Sequence, residues 1–409
     1  MMNDSENLSK LLTHLSPGVF REFMVNDFSL DIAALDPKQG KREQRAMMEA
    51  VLSGIALGER QKIEEVAERI VLLTDAAGQD VIEGISQDIA ADEKAAFAAI
   101  PNQYERTLWL YRHAPALFEE ALNARQADVF RQSASCYSGY VAPRDLTVLD
   151  DAAARQAFHQ AVAQQLGCAA DTVAVQVFKR LRPDSLTGED VDLYQVSVHH
   201  NRPPEIIDRV QASELVAQEV IRAVSSHITY EPANGHLEVL SKDTDGRAAL
   251  ARIVADSLLQ SPITGEKVPI KQYDYQSLAA PRSFDLTGED AASVKVIELG
   301  YTTANHRSLL VKIWTKDVDD IYTAVRSLIS LSFDFRHHHI NYAKLSIRTK
   351  KVGKERARTI TVILRDDNKC NVKTKRERDR ALCDRLLAKW QLVKEISDVA
   401  EEPVDALAA

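Results

Sequence analysis

Along the first third of the chain, apolar residues recur every three or four positions. Beyond residue 140 they recur every second position over several short stretches. The first period is that of a helix with one buried stripe, the second that of a strand with one buried face. In QRAMMEAVLSGIA, Met48, Val51, Leu52 and Ile55 fall on one helical stripe, and in RQKIEEVAERIVLLT, Ile63, Val66, Ala67 and Ile70 do the same. YERTLWLYRHAPALFEEAL carries Leu108, Tyr111 and Leu117 around Pro115, which should break or kink the helix. Stripes of this kind predict a helical bundle.

Gly139 and Pro143 punctuate SCYSGYVAPRD and mark a boundary. Asp150 and Asp151 then read as the N-terminal cap of a helix with Phe158, Val162 and Leu166 on one face, closed by Gly167. DTVAVQVFKR alternates Val173, Val175 and Val177, and VDLYQVSVHH alternates Tyr194, Val196 and Val198, so both read as half-buried strands. SHITYEPANGHLEVLSK predicts a hairpin turning at Asn234-Gly235. Asp245 opens a helix with Leu250, Ile253, Val254 and Leu258 on one side. Further strands are expected in SVKVIEL and SLLVKIW, and a helix in DVDDIYTAVRSLISL. A last unit runs NYAKLSIR, a basic loop, RTITVILR, then a helix in KTKRERDRALCDRLLAKW.

The expected fold class is α+β: a helical N-terminal domain followed by mixed strand-hairpin and helix domains. The expected boundaries are 1–136 helical, 137–265 α+β, 266–395 α+β with the basic hairpin and C-terminal helix, and an acidic frayed tail at 396–409. No fixed-period repeat is present.

Charge changes this picture locally. The chain is acidic, with 51 basic and 60 acidic residues. Yet Lys344–Lys389 holds eight lysines and eight arginines against six acids, a net +10, leaving −19 on the rest. In NYAKLSIR, Ala343, Leu345 and Ile347 point one way and Lys344, Ser346 and Arg348 the other; Ile360, Val362 and Leu364 share a face of the next strand. The connecting loop bends at Gly353, and its cations must project, because burying unpaired charge is too costly. The candidate nucleic-acid-binding residues are Arg348, Lys350, Lys351, Lys354, Arg356 and Arg358 of the hairpin, with Lys373, Lys375 and Arg376 beside the following helix. Only Glu355 lies in the loop to pair with its cations. In the helix, Lys373 with Glu377, Lys375 with Asp379 and Arg380 with Asp384 have the spacing of ordinary solvated ion pairs. Leu382, Leu386 and Trp390 form its buried side.

Signals for catalysis are weak. His337, His338 and His339 stand together, and in a strand His337 and His339 share a face, but no third ligand is evident. His199 and His200 end another strand. Asp190 and Asp192, or Glu238 ahead of Lys242, loosely evoke metal-dependent nucleases. Trp109 beside Tyr111, and Tyr273 with Tyr275, have the character of base-stacking residues, but aromatic residues at these spacings more often belong to a core. Phosphate-loop, dinucleotide, serine-hydrolase and zincin motifs are absent from the sequence. The cysteines at 136, 168, 370 and 383 form no CxxC pair, so neither a zinc framework nor a disulfide scaffold is expected. No metal or cofactor is expected. No apolar run approaches a membrane span, and MMNDSENLSK does not read as a secretory signal, so a cytoplasmic protein is expected.

Two stretches, ITYEPANGHLEVLSK with Arg247 in the helix that follows, and CNVKTKRERDRALCDRLLAKW with Cys370, Asn371 and Trp390, resemble a family of uncharacterised bacterial proteins with no assigned activity. The resemblance covers the C-terminal two thirds. It implies a bacterial, cytosolic origin and an α+β unit, and transfers no site residues.

The leading expectation is a non-enzymatic nucleic-acid-binding protein or subunit that uses a basic hairpin on an acidic body, with duplex favoured. The alternative is an adaptor or scaffold subunit of a larger bacterial complex, including one acting on foreign DNA, that binds an acidic protein surface. A hydrolase or nuclease ranks third. Other subunits or a second copy are expected partners, and a membrane is not.

Overall fold

A computed structural model describes residues 6–30, 40–131, 133–183, 190–211, 214–263, 271–303, 307–313, 320–328, 334–351, 356–366 and 369–395. The fold is α+β, with its helices concentrated towards the N-terminus. By compactness the chain divides into two units, residues 1–126 and 127–409, the division falling within a helix.

The first unit is helical: α1 (Glu6–His14), α2 (Pro17–Phe28), α3 (Lys41–Ser53), α4 (Leu57–Leu72), α5 (Ala76–Ile85), α6 (Ala91–Ala98), α7 (Gln103–His113) and the start of α8 (Pro115–Arg131). The predicted stripe of α4 is the buried one, with Ile63, Ala67 and Ile70 all inaccessible. In α3 the side chains of Met48 and Leu52 lie outside the described residues. Pro115 does not kink one helix but starts a second. It occupies the first turn of α8, where its missing N–H costs nothing. Asp75 caps α5 by accepting from the Gly78 N–H at 2.7 Å.

The second unit runs β1 (Tyr137–Val141), α9 (Ala152–Leu166), β2 (Val173–Pro183), β3 (Asp190–Asn201), β4 (Glu205–Gln211), β5 (Glu214–Val220), β6 (Ala223–Glu231), β7 (His236–Leu240), α10 (Arg247–Val254), β8 (Lys271–Tyr273), β9 (Ala291–Thr302), β10 (Ser308–Lys312), α11 (Ile321–Leu328), β11 (His339–Thr349), β12 (Thr359–Arg365), β13 (Lys369–Cys370), α12 (Glu377–Lys389) and β14 (Val393–Glu395). Two five-stranded antiparallel sheets result, ordered β1-β7-β6-β3-β2 and β10-β9-β11-β12-β13. Two two-stranded ladders, β8 with β14 and β4 with β5, complete the strand pairing among the described residues.

Asp151 caps α9 by accepting from the N–H groups of Ala153 and Ala154, and Gly167 ends it in the left-handed region at φ 63°. Phe158 and Val162 of α9 and Leu250 and Val254 of α10 pack on Val196, Val198, Ile228, Leu237 and Val239 of the first sheet. The Asn234-Gly235 turn forms as expected. Gly235 sits at φ 72°, and a Cβ there would lie 2.1 Å from the Ala142 carbonyl oxygen, so no other residue fits without movement. In the second sheet, Leu299, Leu345 and Val362 pack against Ile321 and Val325 of α11, Leu386 of α12 and Trp390 just beyond it.

One strand expectation is corrected. β3 is buried on both faces through its middle, not half-buried: Gln195 and Ser197 are as inaccessible as Val196 and Val198. Its polar face is covered by charged side chains from α8 and α12, described below. The acidic tail, 396–409, lies outside the described residues. Among the described residues no helix is long and apolar enough to cross a membrane.

Candidate nucleic-acid interface

The basic hairpin forms, with Ala343 opposite Leu364, Leu345 opposite Val362 and Ile347 opposite Ile360. These six side chains are all buried. Strand alternation therefore turns Tyr342, Lys344, Ser346 and Arg348 of β11 and Thr359, Thr361 and Arg365 of β12 to the opposite face. That face also receives Glu298 of β9, opposite Lys344, and Lys312 of β10, opposite Glu298.

Glu298 organises the centre of this face. Its Oε1 accepts from Lys344 Nζ at 2.9 Å and pairs with Lys312 Nζ at 3.0 Å, and its Oε2 accepts from the Tyr342 hydroxyl at 3.0 Å. Burial pulls its carboxyl up, but the hydrogen bonds from Lys344, Lys312 and Tyr342 outweigh this and hold it below the usual carboxylate range. The Arg365 guanidinium lies 5.8 Å from the centre of the Tyr342 ring. Glu298 thus neutralises the centre of the face, and the exposed cations lie at one end of the hairpin.

That end is fixed by a backbone clamp. The Thr349 N–H donates to the Arg358 carbonyl at 2.9 Å, and the Arg358 N–H donates to Thr349 Oγ1 at 3.0 Å. Around it the nine sequence-predicted cations divide. Arg348, Lys350, Lys351 and Arg356 are exposed. Lys350 is also seated: its N–H donates to the Asp290 carbonyl at 2.8 Å and its Nζ to the Glu289 carbonyl at 2.7 Å. Lys354 lies outside the described residues. Arg358 is half-buried and ion-paired with Asp379, which also lies 3.3 Å from Arg376 Nε. Lys373 is half-buried with its ammonium 4.8 Å from the Tyr137 ring centre, and burial lowers its pKa. Lys375 is half-buried.

Two expectations change. The loop's cations are not left to Glu355 alone, because α12 brings Asp379 to Arg358. The spacing of Lys373 with Glu377 and Lys375 with Asp379 requires a helix through Lys373, but α12 starts at Glu377. Glu377 is instead buried against Arg180 of β2, with Arg380 Nη2 3.3 Å away.

The histidine cluster is differently placed than a strand would place it. Phe335–His337 is a single 3₁₀ turn, and the strand begins only at His339, so His337 and His339 do not share a strand face. His338 stacks on Tyr301 at 4.8 Å between ring centres, and His339 Nε2 lies 3.6 Å from Asp366. Asp192 pairs with Lys179 and Glu238 with Arg131. Among the described residues no three His, Cys, Asp or Glu side chains are grouped to hold a metal ion. Of the candidate stacking residues, Trp109 packs on His113 and Phe97, and Tyr275 is buried with its hydroxyl on Asp366. Tyr275 is thereby closed to a base, whereas Trp109 is half-buried.

A charged cluster on the polar face of the first sheet was not foreseen. Arg131 pairs with Glu238 and Asp128, Arg182 with Glu231, and Arg180 with Glu377. Arg131 and Arg180 are almost wholly inaccessible. Burial drives the Glu238 and Glu377 carboxyls up, but the surrounding guanidiniums prevail and both are depressed. The signal present in the sequence was alternation: Arg180 and Arg182 in β2, Gln195 and Ser197 in β3, and Thr229 and Glu231 in β6 recur with period two. That pattern reads as a solvated face unless something distant in sequence covers it. The chain matches no protein-family model and no curated protein sequence.

Proposed function

We propose that the protein is a non-enzymatic nucleic-acid-binding protein or subunit that engages phosphates with Arg348, Lys350, Lys351 and Arg356, joined by Lys354 of the same loop. One observation carries this reading: these four cations are exposed at one end of a clamped hairpin, Lys350 reaching a backbone carbonyl, while neighbouring Arg358 and Arg376 are held by Asp379 and Lys373 lies over Tyr137. A stem held by the Thr349–Arg358 clamp presents charge without a large ordering cost. The acidic remainder of the chain repels phosphate elsewhere and focuses attraction on this end. Duplex is the favoured ligand, because a projecting hairpin has the shape to lie along a groove.

The test is a fluorescence titration of labelled duplex by the full chain at rising salt. Four phosphate contacts correspond to roughly a hundredfold loss of affinity between about 50 and 200 mM salt. Absence of binding at low salt, alongside binding to an acidic protein, would replace this reading with that of an adaptor.

A further inference from the structure

Beyond the first sheet, β3 and β6 run on as a separate two-stranded arm. The last rung of the sheet is Asn201 with Ala223; the Arg202 N–H then donates to the Arg222 carbonyl at 2.9 Å, and β4 and β5 pair from Glu205–Val220 to Gln211–Glu214. The register puts Ile206, Asp208 and Val210 of β4 on one face with Leu215, Ala217 and Glu219 of β5. Ile206 is 76% exposed, Val210 70% and Leu215 73%. On the other face Val216 is also exposed, at 42%. A two-stranded ribbon is marginal in water alone. One that shows contiguous aliphatic side chains to solvent is a surface built to be covered.

Charge selects the cover. The two strands hold Glu205, Asp208, Glu214 and Glu219 against Arg209, a net −3, with Arg202 and Arg222 confined to the base of the arm, where Arg222 lies 4.0 Å from Glu205. A phosphate backbone is therefore repelled, and an apolar surface with basic flanks is favoured. This chain carries such a surface. β10 is the end strand of the second sheet, and no described strand pairs with its outer edge. Leu309 and Leu310 on it are 49% and 58% exposed, with exposed Arg307 just before it and Lys312, which pairs with Glu298, at its far end. The arm and β10 together hold most of the large apolar side chains exposed among the described residues. An open edge is a template for added strands, giving main-chain hydrogen bonds as well as apolar contact.

We propose that the arm of one copy docks along β10 of a second copy, and that reciprocal exchange of arms closes a two-fold dimer. The contact is separate from the basic hairpin and leaves Arg348, Lys350, Lys351 and Arg356 unused.

The test is sedimentation velocity of the full chain and two variants. The arm variant is Ile206→Glu with Leu215→Glu; the edge variant is Arg307→Glu with Leu310→Glu. All four side chains are exposed, so folding should survive, and Ile206→Thr with Leu215→Thr provides an arm variant of retained strand propensity. The parent should dimerise, and each variant alone should dissociate about tenfold or more readily. Mixing the arm and edge variants should restore a mixed dimer, because each keeps the half that the other lacks. A monomeric parent, an edge variant that dimerises like the parent, or a mixture that stays monomeric overturns the proposal. An edge variant that dimerises like the parent would instead indicate arm-on-arm pairing.

Discussion

Arg180 of β2 and Glu377 of α12 are 197 residues apart in sequence and form a buried ion pair, Nη1 lying 3.2 Å from one carboxylate oxygen and 2.9 Å from the other. Their side chains are 0% and 3% exposed. The pair fixes the start of α12 to the first sheet, and two residues further on Asp379 holds Arg358 at the base of the basic hairpin.

Breaking this pair on one side strands a buried charge. Arg180→Met or Glu377→Met alone should lower stability by about 3–5 kcal/mol, whereas Arg180→Met with Glu377→Met together should cost clearly less than the sum. Urea unfolding of the four proteins in a double-mutant cycle measures this, and additive single effects would show that the two charges do not depend on each other.

His227 supplies a pH dependence. It is inaccessible, its Nδ1 lies 2.9 Å from Ser197 Oγ, and burial, with His199 and Arg131 nearby, pushes its pKa down to about 3. The unfolded chain therefore takes up a proton near pH 6.5 that the folded chain refuses, so the contribution of His227 to stability falls as the pH drops from about 6.5 towards 3, against the opposite contribution of Glu120, whose carboxyl burial pushes up to about 7. Between 6.5 and 4.5 this is separable from the depressed carboxylates of Glu238 and Glu377, whose stabilisation is complete above about 4.5 and is lost only below it. His227→Asn should flatten the slope of unfolding free energy in the upper window by up to about 1.4 kcal/mol per pH unit. His200, also lowered by burial and Arg202, keeps a smaller slope in place. Parallel slopes for parent and variant would exclude His227 as the titrating group.

Much of this architecture was legible from local pattern. The stripe of α4, the Asp151 and Gly167 caps of α9, the Asn234-Gly235 turn and the alternation of β11 and β12 are each decided within a few residues. What escaped depends on long separations. Nothing near Arg180 indicates that Glu377 will cover it, so the polar faces of β2 and β3 read as solvated. The same blindness left Arg358 looking free, since its partner Asp379 belongs to another element. The β4–β5 arm escaped for a different reason: with exposed aliphatics on both faces, neither period two nor period 3.6 has a buried side to mark.

Asn371 does the work of a missing strand beside the hairpin. β13 pairs with β12 only at Leu364–Cys370 and Arg365–Lys369. Beyond that, Asn371 Oδ1 accepts from the Ile363 N–H at 2.8 Å and its Nδ2 donates to the Thr361 carbonyl at 3.1 Å. Asn371→Ala should cost about 1–3 kcal/mol and speed hydrogen exchange of the Ile363 amide selectively. Unchanged protection of that amide would show that the side chain is dispensable there.

The central claim is that exposed cations at the hairpin end carry nucleic-acid binding while the paired ones carry structure. The most direct measurement is the salt dependence of duplex DNA affinity for the parent, for Arg348, Lys350, Lys351 and Arg356 replaced together by Ser, and for Arg358→Ser. The four-site variant should keep the parent's unfolding midpoint and flatten the log–log salt slope by about 3.6, with affinity lost about equally across sequences. Arg358→Ser should instead lower stability by removing one of the two arginines that Asp379 holds, leaving Arg376, and change the slope little. A fully folded four-site variant that binds duplex DNA as tightly as the parent at every salt concentration would contradict the account.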